Sequence, residues 1–559
     1  MGSSRRMPCF VPFSTKGRYP DGEEVSGNSP IGLFSLGLPR QPWLWQKSLF
    51  LSTQSFSREW KGAFPVMKSP ISIFFLTSEV LPVVKTGGLA DVSAALPAAI
   101  SELHDEDVDI RIGTVAFRGV ENLPGFSLTK TFVARTPAGP LTIRIFEGRL
   151  GKGNVPVYAV DPEGLFDRHG LYGEHGGEYF DNLERFSLWN HALLHLPAVV
   201  GYSPDIIHAN DWQTALSIPL FTHVVRPRIQ TKPHRSLISI HNMAFQGVYP
   251  LDQWHWTGLP PSYNSFDGLE FHGHLSLLKG GIQFADLVTT VSPGYREEIL
   301  FEPGGCGLSG ALRHRQDRFV GLLNGIDDRE WDPASDPFLP VHFSGRDPVP
   351  KELLQERMRK EWGLFSGGRR PLFGVVSRMA HQKGLDLLAE TLLAMGEKGD
   401  LGGDWVVLGS GDPRLEGLWR TLQTSFPDQI HLRIGFDEPL AHRIIGAADF
   451  LLVPSVYEPC GLTQMYAMRY GTLPVVNPTG GLRDTVADGK TGIWMDELSE
   501  NGIRKAIFKA RTLYLEGHEI KGMRARAMAV DSSWKNRARE YIRLYRGLME
   551  TPPWHNPLD

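Results

Sequence analysis

Short apolar runs that alternate with helical stretches constrain this chain most. From Met67 onward "ISIFFLTSEV", "VDIRIGTVAF", "LTIRIFEGRL", "VPVYAVD", "DIIHAND", "SLISIHNMAF", "LVTTVS" and "FVGLLNGID" succeed one another. Strands this apolar are covered on both faces, which places them in a largely parallel sheet flanked by helices. A second series follows: "PLFGVVSR", "DWVVLGSG", "IHLRIGF", "DFLLVPS", "LPVVNPT" and "TGIWM". Within it Leu385, Leu388, Leu392 and Met395 fall at one-face spacing and predict a helix over 384–398. A chain of 559 residues is too long for one core. The reading is therefore α/β, with two doubly wound domains facing each other and ligands held at the carboxyl ends of the strands.

Texture sets the expected boundaries. Residues 1–66 repeat Gly, Pro and Ser without helical or strand period, and read as a poorly ordered extension. It is expected to be dispensable, with Met67 as an alternative start, although Trp43, Trp45 and Trp60 could anchor it. Residues 67–330 form the first domain, and 331–368, rich in Pro and Asp in "WDPASDPFLPVHFSGRDPVP", form a linker. Residues 369–533 form the second domain, and 534–559 a closing amphipathic helix, "SWKNRAREYIRLYRGL", with its tail.

A formal net charge of −4 argues against bulk attraction to nucleic acid or an anionic membrane, so basic residues that matter act locally. Cys9, Cys306 and Cys460 are too few and too scattered for a disulfide framework or a zinc cluster, and fit a reducing cytoplasm. No apolar run reaches the length of a membrane span, and the start lacks the ordered regions of a secretory signal.

Three strand-to-helix turns carry the chemistry. In "FFLTSEVLPVVKTGGLADV", Lys85 precedes Gly87 and Gly88 and then the helix that contains Asp91. Glycine lets a ligand approach the main chain, and free N–H groups at a helix start favour phosphate. An ordinary tight turn with a solvated lysine explains the local pattern equally well. "VVSRMAHQKGLDLL" places Arg378 at a strand end and Lys383 at a helix start, and two converging cations suit a departing diphosphate. "VPSVYEPCGLTQMY" puts Glu458 and Cys460 before a helix at which Gly461, Leu462 and Thr463 offer N–H groups. Glu458 could hold sugar hydroxyls or simply occupy a helix N-terminus, where negative charge is favourable. Asp211 in "IHANDW" and His241 in "ISIHNMAFQG" lie past consecutive strand ends. His272 and His274 lie two apart with no third ligand evident, so no metal is expected there. Trp254 and Trp256 could stack on sugar rings, but packing explains them as well.

Taken in order, "KTGGLADV", "HNMAFQG", "GLEF…LLKGG", "LNGID", "SRMAHQKGLDLL", "LGSGDP" and "EPCGLTQMY…GTLPVV…TGGLRDTV" closely resemble the bacterial glycogen synthases. These belong with the starch synthases and elongate an α-1,4-glucan from ADP-glucose. The resemblance runs from about residue 67 to 549. It implies the GT-B fold, two Rossmann-like domains with the active site between them and a C-terminal helix crossing back to the N-domain. It also implies retention of anomeric configuration, no cofactor and no metal. Lys85 then contacts ADP-glucose, with Gly88 and Asp91 in the same motif. Asp211, His241 and Asn324 fall on active-site positions of the N-domain. Arg378 and Lys383 neutralise the donor diphosphate, and Glu458 stands near the donor glucose with Cys460 beside it.

Two departures touch the acceptor side: "GTVAFRGV" stands where a proline-bearing segment is common, and His272 and His274 where other polar or aromatic residues are frequent. Three other readings share the fold: a retaining transferase with another donor, a nucleotide-sugar epimerase, and a silent glucan-binding protein. Against the first, many such transferases carry a second Glu eight residues past the first, and here that position is Tyr466.

Overall fold

A computed structural model describes residues 70–174, 177–225, 234–345, 347, 349–364 and 369–558. The expectations for residues 1–66, Met67, Trp43, Trp45, Trp60 and Cys9 lie outside the described residues.

The first apolar series forms β1 (Ile71–Leu76), β2 (Val108–Val115), β3 (Ser127–Thr136), β4 (Gly139–Leu150), β5 (Val155–Pro162), β6 (Ile206–Asn210), β7 (Arg235–Ile240), β8 (Leu287–Thr290) and β9 (Phe319–Gly321). They lie in one sheet, in the order β9-β8-β7-β6-β1-β2-β5-β4-β3. Pairing is parallel except where β4 joins β5 and β3 joins β4. Strand β3 had no counterpart among the apolar runs, because as an edge strand it is mostly exposed and needs no continuous apolar face. The run "FVGLLNGID" yields only a three-residue strand. Its remainder leaves the sheet, and Ile326 N–H donates to Ser532 O at 2.8 Å as the chain crosses toward the second lobe.

The second series forms β10 (Leu372–Val376), β11 (Asp404–Gly409), β12 (Ile430–Ile434), β13 (Phe450–Val453), β14 (Leu473–Val476) and β15 (Ile493–Trp494). This sheet is parallel throughout, in the order β12-β11-β10-β13-β14-β15. Each order reverses beside the first strand of its lobe, at β6/β1 and at β13/β10, where a crevice opens outside the carboxyl ends.

Helices α1 (Gly88–Ser101), α2 (Asp211–Ala215), α3 (Pro293–Ile299), α4 (Val349–Glu361), α5 (Leu385–Gly396), α6 (Glu438–Ala447), α7 (Thr463–Arg469), α8 (Gly480–Thr485) and α9 (Trp534–Glu550) position the elements discussed below. The segment expected to act as a linker is packed. It carries α4 and buries Trp331, Leu339, Phe343, Leu354, Met358 and Trp362 against Leu372, Val406, Ile444 and Leu451 of the second lobe. Its Pro and Asp residues mark turns between anchored side chains rather than a free tether.

Among the described residues, a helix–helix clasp and the returning C-terminal helix help to join the lobes. Helices α3 and α8 satisfy each other's N-terminal amides: Asp484 Oδ2 accepts from Gly294 N–H at 2.6 Å, and Glu298 Oε1 from Gly480 N–H at 2.7 Å. Helix α9 returns to the first lobe, where the Tyr545 hydroxyl meets His208 Nδ1 at 2.8 Å and Arg235 Nη2 donates to Thr551 O at 2.8 Å. Burial pushes His208 well below the usual imidazole range, so it is neutral and holds Ser239 Oγ at 2.7 Å through Nε2. Tyr545→Phe leaves His208 Nδ1 buried without this partner, a cost of about 1–3 kcal/mol. The expected result is a lower Tm by thermal denaturation with the circular dichroism spectrum retained. An unchanged Tm would mean that apolar contact alone holds α9.

Candidate functional site

Strand β1 ends into Thr77, Ser78 and Glu79, and the Glu79 carboxylate organises the loop that follows. It is only 4% exposed and accepts from Thr86 N–H at 2.6 Å, Gly87 N–H at 3.0 Å and the Tyr172 hydroxyl at 2.7 Å. This fixes the backbone that presents Lys85, whose Nζ donates to Asp91 Oδ1 at 2.7 Å. Burial raises the Asp91 carboxyl while Lys85 opposes that shift. A Cβ added at Gly87 or Gly88 would meet nothing within 4 Å, and neither has positive φ. The protein itself therefore does not require glycine at these positions. The open space beside them belongs to the cleft, and whatever fills it sets the requirement.

Asp211 follows β6 in the left-handed region, at φ 55°. Its Oδ1 accepts the His241 backbone N–H at 2.7 Å, which ties the end of β6 to the end of β7. Burial pushes its carboxyl up to about 7, against the backbone N–H groups of His241 and Asn242 that favour the charge. Burial lowers the His241 imidazole to about 4. The neutral ring meets Asn210 Oδ1 through Nε2 at 2.9 Å, while Asn210 Nδ2 donates to Leu76 O at 2.9 Å. Asn210 thus presents an acceptor, the proton sits on Nε2, and Nδ1 keeps its lone pair. Asn324 is buried after β9, and its Oδ1 has no partner among the described residues.

In the second lobe Arg378 is exposed past β10, with a 3.4 Å contact from Nη2 to Gln382 Oε1. Gly384 needs its hydrogen: φ is 63°, and a Cβ would lie 2.0 Å from Pro454 O. That close approach sets Lys383 against the end of β13, where Nζ bonds Glu458 Oε2 at 2.6 Å. The same oxygen accepts from Ser455 Oγ at 2.9 Å. Gly461, at φ 72°, turns the chain into α7, and Gln464 Nε2 braces that turn by donating to Cys460 O at 3.1 Å and Gly461 O at 2.9 Å. Cys460 is buried and its thiol is pushed up to about 12 by burial, so it packs and is not a nucleophile.

One cleft of about 690 Å³ gathers these groups from both lobes. Lys85, Gly88, Asp91, Asp211, His241 and Asn324 line it from the first. Arg378, Lys383, Glu458, Cys460, Gly461, Leu462 and Thr463 line it from the second. These thirteen candidate site residues line one cleft, whereas His272, His274, Trp254 and Trp256 do not line it. The sequence reading had put Lys383 with Arg378 on a diphosphate, whereas here Lys383 is paired with Glu458. Glu79, Asn210, Tyr172 and Ser455 escaped it, because the role of each lies in the hydrogen bonds it makes once folded and not in its residue type or position in a motif. Phe436 also escaped it, a cleft-lining ring that is 83% exposed. Trp254 and Trp256 pack against the core, and Trp254 Nε1 donates to Leu259 O at 3.2 Å. Tyr466 stacks on Trp331 with ring centroids 3.9 Å apart.

Comparison with known proteins matches these features. Residues 72–314 fit the starch synthase catalytic domain model, and residues 370–510 the glycosyl transferases group 1 model. The chain is 41% identical to the glycogen synthase of Thioalkalivibrio sulfidiphilus over 496 residues, covering 85% of this chain and 99% of that one. The glycogen synthase of Rhodospirillum rubrum is 41% identical over 506 residues, covering 87% of this chain and all of that one. The solved catalytic domain of starch synthase IV from Arabidopsis thaliana, bound to ADP and acarbose, superposes with a TM-score of 0.78 at 32% identity. That match covers 86% of this chain and 100% of the other. Two α/β lobes meeting at a cleft lined by Lys85, Arg378 and Lys383, and identity along nearly the whole length of these relatives, make this chain a member of the glycogen and starch synthase family of GT-B glycosyltransferases.

Proposed function

We propose that the chain transfers glucose from ADP-glucose to the non-reducing end of an α-1,4-glucan, with retention at C1 and without a metal in the chemical step. The observation that carries this reading is the placement of Lys85, Arg378 and Lys383 at strand ends of both lobes around one cleft. The Arabidopsis relative held ADP and acarbose, a nucleoside diphosphate together with a saccharide. In the proposed reaction the bond from glucose C1 to the β-phosphate oxygen breaks, and the acceptor 4-hydroxyl bonds C1 from the same face. The hydroxyl proton passes to an oxygen of the departing ADP. Arg378 offers a fork for two phosphate oxygens, and Lys383 a compact charge at the turn. When the diphosphate takes Lys383, Glu458 is released to accept hydrogen bonds from the sugar. Positioning and stabilisation of the leaving charge supply most of the acceleration. The cytoplasm is the proposed compartment, in keeping with three cysteines too few and too scattered for a disulfide framework.

The test is purified full-length chain with glycogen and either ADP-glucose or UDP-glucose, following nucleotide release and glucan growth together. ADP-glucose should be preferred, with one glucose incorporated per nucleotide released; hydrolysis without growth, or a UDP-glucose preference, would sink the proposal. Lys383→Ala should cut turnover roughly 10²–10³-fold, with some loss of Tm because Glu458 loses a partner. Arg378→Lys should also impair turnover, since a point charge cannot replace a bidentate fork, and its Tm should match the parent's.

Gly88→Ala separates ligand space from protein space. Alanine is favoured over glycine at a helix position by roughly 0.5–1 kcal/mol, so Tm should hold or rise while KM for the donor increases. A lower Tm with KM unchanged would contradict the assignment.

Asp211 gives a pH dependence of defined sign. Its folded pKa of about 7 lies above the unfolded value near 3.8, so between these the native state binds more protons and its stability falls as pH rises. His241 works the other way, losing stability as pH falls from 6.5 toward its folded value of about 4. Asp211→Asn removes the first contribution and keeps an acceptor for the His241 amide. The Tm difference, variant minus parent, should therefore climb from about pH 4 to 7; a difference that is flat with pH would refute the shift.

A further inference from the structure

A second cavity, of about 660 Å³, adjoins the cleft and shares Lys85, Asp91, Phe436 and Leu462 with it. Asp327, Glu330 and Glu438 line its wall. Glu438 opens α6 and His442 lies four residues on, so both occupy one helix face. The His442 ring stacks on Trp331 with centroids 3.6 Å apart, and this contact brings Glu330, the preceding residue, to the same place.

Only one nitrogen of the ring has a partner among the described residues. Asp336 Oδ2 accepts from His442 Nδ1 at 2.8 Å and from the Tyr470 hydroxyl at 2.6 Å. The shared carboxylate occupies Nδ1, so Nε2 is the ring nitrogen left over for another partner. His442 is 0% exposed, and Nε2 has no partner among the described residues. One ligand atom each from Glu330, Glu438 and His442 lie within 4.8 Å of one another. Three side chains able to ligate thus converge, two of them carboxylates, with Asp91 and Asp327 on the same cavity wall.

We propose that Glu330, Glu438 and His442 bind a divalent cation of the zinc or manganese type at the junction of the lobes. An imidazole with two carboxylates suits borderline first-row cations better than calcium or magnesium, which take oxygen ligands. Zinc bonds of about 2.0–2.2 Å need ligand atoms roughly 3.3 Å apart, and the two exposed glutamates can close that gap while the ring stays fixed. Asp336 then serves as the carboxylate that orients a ligating histidine and raises its basicity. The cation would tie residue 330, which follows the crossover at Ile326, to α6 of the second lobe, and would offset repulsion between those carboxylates and Asp91. No three-ligand spacing is legible along the chain, since Glu330 stands 108 residues before Glu438.

The experiment uses the full chain, stripped with chelator and desalted, titrated calorimetrically with zinc, manganese or calcium chloride. Cobalt(II) absorption reports ligand geometry. Zinc or manganese should bind at one equivalent per chain and raise Tm, with calcium far weaker. The E330Q/E438Q double variant, altered only at exposed positions, should lose affinity by more than about 100-fold and lose the Tm increment. Asp336→Asn should weaken binding by about 10–100-fold. Failure of the parent to bind, equal affinity in the double variant, or a His442 ring that is doubly protonated at neutral pH by NMR would each overturn the proposal. The last outcome would mean that a proton, not a metal ion, fills the site.

Discussion

The chain crosses between the two sheets twice in the same place. Ile326 on the outward pass lies beside Ser533 on the return, bridged in parallel. A Cβ at Gly325 would come within 2.8 Å of Trp534, so the two passes touch at backbone distance. The reciprocal amide–carboxylate clasp of α3 and α8 adds a second point of attachment. Two points define an axis, and the cleft lies against it. Every ligand-facing group described above sits past the carboxyl end of a parallel strand or at the start of the next helix. The spacing of the lobes therefore sets the distance between Lys85 on one side and Arg378 and Lys383 on the other.

The elements were legible in the sequence because parallel strands covered on both faces leave uninterrupted apolar runs. That signal found β1 and β10 through β15, and missed β3, an exposed edge strand with no such need. The packing of residues 331–364 was illegible for a different reason. Prolines and aspartates announce turns, but nothing local says that Trp331 is sandwiched between His442 and Tyr466. The candidate site divides in the same way. Lys85, Arg378, Lys383 and Glu458 sit in motifs at strand-to-helix turns and could be picked out by type and position. Glu79 stood in the first of those motifs, yet its role is visible only in the loop amides it holds. Asn210 precedes Asp211 directly, but its work is to bridge Leu76 and His241, and those contacts exist only once the sheet has formed.

The Lys383–Glu458 pair shows why a motif can name residues without naming their state. Glu458 is 5% exposed, and a carboxylate so placed needs compensation. Ser455 Oγ and Lys383 Nζ supply it on one oxygen, Oε2. A sugar bearing only hydroxyl groups could replace Lys383 at the carboxylate but would leave the lysine charge without a counter-ion. A diphosphate alone could satisfy the lysine and would leave Glu458 short of a partner. A nucleotide-sugar carries both groups on one molecule, so it can take over both partners at once without stranding either charge. Under the proposed function the ion pair would set a selectivity beyond shape, because a ligand with only one half would leave a buried charge poorly compensated and a ligand with both would not. Ligand recognition on this side of the cleft then depends on exchanging one satisfied arrangement for another, and the glycine turn at Gly384 keeps Lys383 within reach of both.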